Sequence, residues 1–90
     1  MKPITEEQLF NFPCEFPIKA IGKDINNFEE QVTALIQKHI PNIHPKQIKS
    51  KLSSSKTFLS VTITILATSK KQLDDIYTDL NKDTNVLYTL

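Results

Sequence analysis

The sequence predicts an α+β fold: a ferredoxin-like β-α-β-β-α-β sandwich, with a four-stranded antiparallel sheet and two helices on one face. Three observations point to it. Residues 58–68 alternate with a period of two, setting Leu59, Val61, Ile63, Ile65 and Ala67 against Ser60, Thr62, Thr64 and Leu66. Two other segments carry apolar stripes at helical spacing, Phe28, Val32, Leu35, Ile36 and His39 in one, Leu73, Ile76, Tyr77 and Leu80 in the other. Each stripe is flanked by strand-like segments, and a short polar turn joins the two strands in the middle. A β-branched strand with one oily and one mostly hydroxylic face belongs in the centre of a sheet that is covered on one side only.

The elements follow in chain order. Residues 1–13 read as a lead-in, with Thr5 capping a turn through Glu6, Glu7 and Gln8, apolar contacts from Leu9, Phe10 and Phe12, and Pro13 as its end. Residues 14–22 form the first strand. Cys14, Phe16, Ile18 and Ala20 share its inner face, and Glu15, Pro17, Lys19 and Ile21 its outer one. Pro17 has no N–H, so one side of this strand lacks a full ladder. Gly22 ends the strand and Lys23-Asp24 turns the chain.

Asn26 and Glu29 stand at capping-box spacing at the head of the first helix, Lys38 and His39 suit its C-terminal end, and Pro41 stops it. Residues 44–53 read as an edge strand. Ile48 and Leu52 lie on one face and Gln47, Lys49 and Lys51 on the other, where lysines discourage stray pairing. Residues 53–56 turn into the central strand. Ser69 caps the second helix with Gln72 three residues on, while Lys70 and Lys71 sit at the unfavourable end of its dipole. Residues 81–85 turn the chain again, and residues 86–90 make a last short strand.

Ninety residues with 39% hydrophobic content are expected to build one domain, spanning residues 1–90, around a single core layer. No apolar run approaches the roughly 20 residues of a membrane span, and no apolar stretch follows the N-terminal lysine as a signal peptide requires. The lone Cys14 cannot form an internal disulfide, and a reducing cytoplasm is the expected location. Eleven lysines and ten acids leave a net charge of +1, and there is no arginine. Neither the basic excess nor the bidentate side chain of a nucleic-acid binder is present, so no nucleic-acid partner is expected.

The chemistry-bearing residues are sparse. Cys14 falls on the oily face of the first strand, as a structural cysteine does. His39 and His44 flank Pro41, but with one cysteine they supply too few ligands for a closed zinc site. Asp74, Asp75, Asp79 and Asp83 lie on or beside the second helix as a solvated face, and no carboxylate stands in an apolar setting that would raise its pKa for general-acid work. Gly22 is the only glycine, so there is no phosphate loop. The open sheet face presents Ser60, Thr62 and Thr64 with Lys19, Ile21 and a lone Phe58, too few rings for a base-stacking platform. Neither catalytic residues nor a metal or cofactor is expected.

Leu9 to Gly22, Leu-Phe-Asn-Phe-Pro-Cys-Glu-Phe-Pro-Ile-Lys-Ala-Ile-Gly, resembles the opening of the YbeD-like family of small bacterial proteins. The resemblance continues through Gln31-Val32, Gln37-Lys38-His39-Ile40-Pro41, Ser60-Val61-Thr62-Ile63-Thr64, Ala67-Thr68 and on to Leu90. It implies a sandwich similar to ACT-type regulatory domains. In those domains small effectors bind near the glycine-containing turn after the first strand. Gly22 holds that place here, with Asp24, Asn26 and Asn27 as polar contacts. A bulky side chain at Gly22 is expected to block such a site and leave the fold intact. One departure stands out: a glycine is expected in the turn before the central strand, where this chain has Ser55-Lys56-Thr57, so a looser loop is expected in place of a tight turn with positive φ.

Together these readings anticipate a non-enzymatic cytoplasmic module that regulates or binds another protein, or itself as a homodimer, through the edge near Ile48 or the open face. The alternative is a small-molecule sensor for an amino-acid-like or acyl metabolite at Gly22, Asp24, Asn26 and Asn27.

Overall fold

A computed structural model describes residues 11–25 and 27–90. The expected turn at Thr5 lies outside them. Four strands and two helices follow in the order β1 (Cys14–Lys23), α1 (Phe28–Gln37), β2 (Ile48–Leu52), β3 (Phe58–Ala67), α2 (Lys70–Lys82) and β4 (Val86–Thr89). The sheet is antiparallel throughout, in the order β2-β3-β1-β4. This is the predicted β-α-β-β-α-β sandwich.

The alternation of β3 decides what the helices cover. Val61, Ile63, Ile65 and Ala67 point inward with Ile18 and Ala20 of β1, and they meet Phe28, Val32 and Ile36 of α1 and Leu73, Ile76 and Leu80 of α2 in one buried cluster. The helical stripes bury where their 3.6-residue period places them. Phe12 and Phe16 pack on the cluster's margin. The long β1–β3 pairing, from Cys14 opposite Ala67 to Lys23 opposite Phe58, holds the two central strands together.

Pro17 is accommodated by position. Lys19 exchanges backbone bonds with Leu90, on the β4 side. In an antiparallel strand alternate residues aim their N–H groups to the same side. The missing donor of Pro17 therefore faces the side where β4 pairing has already stopped, and the β3 ladder loses nothing.

Four local expectations need correction. β1 runs one residue past Gly22, because Gly22 pairs with both Leu59 and Val86 and Lys23 still pairs with Phe58. The residue before α1 is Asn27, left-handed at φ 70° and without a side-chain cap bond, while Asn26 lies outside the described residues. Residues 44–47 are not strand. His44 Nδ1 accepts from the Lys46 N–H at 3.1 Å, Gln47 Oε1 accepts from the His44 N–H at 2.8 Å, and with Pro45 these close a 3₁₀ turn before β2 begins at Ile48. Finally, the β2–β3 turn is tight. The Lys56 N–H donates to the Ser53 carbonyl at 2.9 Å, and Lys56 itself takes φ 59°, the conformation that a glycine would adopt without strain.

The second helix begins as its spacing predicts. Ser69 Oγ accepts from the Gln72 N–H at 3.1 Å, and Gln72 Oε1 accepts in return from the Thr68 N–H at 2.9 Å. Lys70 and Lys71 are held by Asp74 and Asp75, each at 2.7 Å.

Candidate binding surface

The sheet face away from the helices has no described element packed across it, and strand register arranges its side chains in rows. Tyr88 of β4 stands opposite Ile21, Ile21 opposite Ser60, and Ser60 opposite Lys51. On one side of that row Lys23 pairs with Phe58. On the other side the next row runs Lys19, Thr62, Lys49. Neighbouring strands stand about 4.8 Å apart and same-face residues of one strand about 6.8 Å apart, so these groups form one continuous surface.

Two hollows lie side by side on it. One, of about 540 Å³, is formed by Ile21, Leu52, Phe58 and Tyr88 with Ser53 and Ser54 of the hairpin as its rim. The other, of about 400 Å³, is formed by Lys19, Lys49, Ser50 and Thr62. Lys51 and Ser60 belong to both. An apolar depression therefore continues into a basic one. Tyr88 is 54% exposed and Phe58 39%, although both are large apolar-bodied rings.

Phe58 and Ile21 were visible on this face from their alternation; Tyr88 was not. The register between β1 and β4 slips, Ile21 facing Tyr88 while Gly22 faces Val86, so Leu87 is an extra residue in a strand of only four. A bulge in so short a segment erases its periodicity. The only available signal was composition, an aromatic beside two leucines at residues 87–90.

Of the residues singled out at the first turn, Gly22 directly follows Ile21 of the apolar hollow. Gly22 is buried in the ladder, and a Cβ there would sit 2.5 Å from the Phe28 ring and run into the Asn85 carbonyl. The glycine is needed for packing, so a bulky replacement there would not leave the fold intact. Asp24 and Asn27 are both exposed, and the Asp24 N–H donates to the Thr57 carbonyl at 2.9 Å, fastening this turn to the hairpin that precedes Phe58. Asn26 lies outside the described residues.

The remaining reactive groups are committed elsewhere. His39 Nε2 is 2.6 Å from Asp79 Oδ2, joining the end of α1 to α2. That bond holds the Asp79 carboxyl below its ordinary value, against the opposing effect of burial and with help from the charges of His39, Lys38 and Lys82. His44 caps the 3₁₀ turn. Cys14 pairs with Ala67 at the far end of β1 and is half-buried. Among the described residues no group of three or more His, Cys, Asp or Glu side chains could hold a metal ion, and no helix is long and apolar enough to cross a membrane.

Comparison with known proteins gives a consistent picture. Residues 7–90 match the family described as "Protein of unknown function (DUF493)". A UPF0250 protein of Ruthia magnifica is 39% identical over 87 residues, covering 97% of this chain and 95% of its own. The UPF0250 protein NE1487 of Nitrosomonas europaea is 37% identical over 78 residues, covering 87% and 90%. Among solved structures, protein HP0495 from H. pylori superposes with a TM-score of 0.70 at 15% identity, over 88% of this chain and 82% of that one. The ACT domain from the GTP pyrophosphokinase of Chlorobium tepidum superposes with a TM-score of 0.64 at 19% identity, over 84% of each chain. At such identities the likeness is one of fold.

Proposed function

We infer that this chain, which belongs to the UPF0250 (DUF493) family, is a non-catalytic, regulatory binding module that docks a protein partner on its open sheet face. One observation supports this reading above others: an uncovered face with Ile21, Phe58 and Tyr88 around a hollow that Leu52 borders at the end of β2, flanked by lysines. Binding energy at protein interfaces concentrates in aromatic side chains that become desolvated at the centre of a polar rim. The hollow is lined by hydroxyls, a lysine and apolar groups, with no histidine or carboxylate to serve as a general base. A cytoplasmic setting suits the single cysteine.

The test is a paired capture experiment. Wild-type protein and a Phe58→Ser/Tyr88→Ser variant serve as baits in cell extract, with circular dichroism to show that both fold. Proteins retained by the wild type and lost from the variant are the expected result. Retention of the same proteins by both baits would remove this face as the docking surface.

A second reading, a small-molecule sensor, draws support from the size of the hollow, about 540 Å³, within the ~300–1,000 Å³ typical of ligand sites. Asp24 and Asn27 would then supply polar contacts from the adjoining turn. A ligand that binds the folded state raises the melting temperature. A saturable rise with an amino acid, nucleotide or acyl metabolite, abolished by Tyr88→Ser, would favour the sensor; a flat panel would favour the protein partner.

A further inference from the structure

The overall charge of +1 conceals a separation of charge between the two sides of the molecule. The strand positions of the open face hold Lys19, Lys23, Lys49 and Lys51 against one acid, Glu15. Glu15 stands opposite Leu66, at the far end of the sheet from Phe58. Of the eight acids among the described residues, five are on the helices: Glu29 and Glu30 in the first turn of α1, and Asp74, Asp75 and Asp79 along α2. Four of these five are engaged, Glu29 with Ser50 at 2.6 Å, Asp74 and Asp75 with lysines, and Asp79 with His39. Among the described residues no ion pair engages Lys19, Lys23, Lys49 or Lys51.

Four lysines gathered on one face, with no ion pair among the described residues, repel one another, a repulsion that an anionic partner relieves. We propose that the partner docked on this face is an acidic, extended protein segment with an aromatic or aliphatic residue at one end. The proposal rests on the docking reading above and names the chemistry of its occupant. The apolar end enters the hollow of Ile21, Leu52, Phe58 and Tyr88. Its carboxylates lie along the basic hollow, where Lys49 and Lys51, two apart on β2, repeat at the same ~6.8 Å as alternate side chains of an extended chain. The face favours a peptide over single-stranded nucleic acid on two counts. The two rings are gathered at one end, so they cannot stack successive bases along the sheet, and no arginine is present to grip phosphate in a bidentate fashion.

The experiment is a selection. A displayed library of random peptides of about eight residues, enough to run along β2 and β3 over both hollows at ~3.4 Å per residue, is panned against the wild-type protein. The same library is panned against Lys49→Glu/Lys51→Glu and against a helix-side control, Lys38→Glu/Lys82→Glu. A random single-stranded RNA pool is run in parallel. Amide NMR spectra establish that each variant is folded and which residues respond. The expected outcome is enrichment of Asp and Glu at alternate positions beside a terminal Phe, Leu or Tyr. Binding of the selected peptides should weaken roughly tenfold or more in the β2 variant, stay unchanged in the control, and fall with added salt. Enrichment without acids, or equal binding by the β2 variant, overturns the proposal. If such peptides are still lost from Tyr88→Ser, the docking face itself stands; if they ignore both changes, it falls as well. Tighter retention of RNA than of any selected peptide also overturns it, in favour of a nucleic-acid surface.

Discussion

At Gly22 the β1 backbone runs directly beneath the Phe28 ring and beside the Asn85 carbonyl, so the space for a Cβ is already taken. A Gly22→Ala variant should lose about 1–3 kcal/mol through overpacking, seen as a lower denaturation midpoint at unchanged m-value. A midpoint equal to the wild type would mean that the Phe28 ring yields freely. Lys56 presents the opposite case. Its left-handed backbone, φ 59°, strains any residue with a side chain. Lys56→Gly should therefore stabilise the fold by a net ~0.5–1 kcal/mol, after allowing for the greater freedom of glycine in the unfolded chain. Loss of stability in that variant would show that the lysine side chain contributes more than the strain removes. Where the family resemblance leads one to expect a glycine, this turn places Lys56 in the backbone conformation that a glycine adopts freely.

Among the elements, α2 is the most completely explained by its own sequence. Ser69 caps it and Gln72 returns a bond, and Ser69→Ala should cost about 1 kcal/mol in chemical denaturation. A negligible loss would mean that water satisfies the Gln72 N–H as well. The helices are also tied to each other by His39 and Asp79, which no periodicity could pair across forty residues. Because the folded state depresses the Asp79 pKa, the carboxylate contributes stability above its unfolded value. That contribution is lost as pH falls below the ordinary carboxylate range, near ~4. The melting temperature of the wild type should accordingly fall more steeply between roughly pH 5 and pH 2 than that of Asp79→Asn. Parallel curves would assign the pair no role in acid sensitivity.

Over the whole molecule, the sheet divides two environments. One face is sealed by both helices; the other leaves Phe58 and Tyr88 in contact with solvent beside lysines that have no described ion pair. Because Tyr88 is half-exposed and Phe58 more than a third exposed, Phe58→Ser/Tyr88→Ser should leave the protein folded, at a cost of about 1–2 kcal/mol, while abolishing partner capture. A large loss of stability would instead make the rings part of the fold's own packing. The near-neutral total charge is a poor guide here, since a partner approaching the sheet meets a local excess of lysine and not the molecular sum.

The elements and their order were legible because each rests on local rules: alternation in β1 and β3, helical stripes in α1 and α2, and a Ser-x-x-Gln start to α2. With them came the fold and the resemblance to YbeD-like proteins, which the family match over residues 7–90 bears out. What tertiary structure alone decided depends on pairing between distant segments. The β4 bulge carries Tyr88 to the side of Ile21, and the β1–β3 register brings Lys23 beside Phe58. The β2–β3 register then sets Lys51 opposite Ser60, where the apolar hollow meets the basic one. Local periodicity specifies which face a residue occupies within its own strand; which residues become neighbours across strands is a property of register, and register is settled only when the sheet closes over its core.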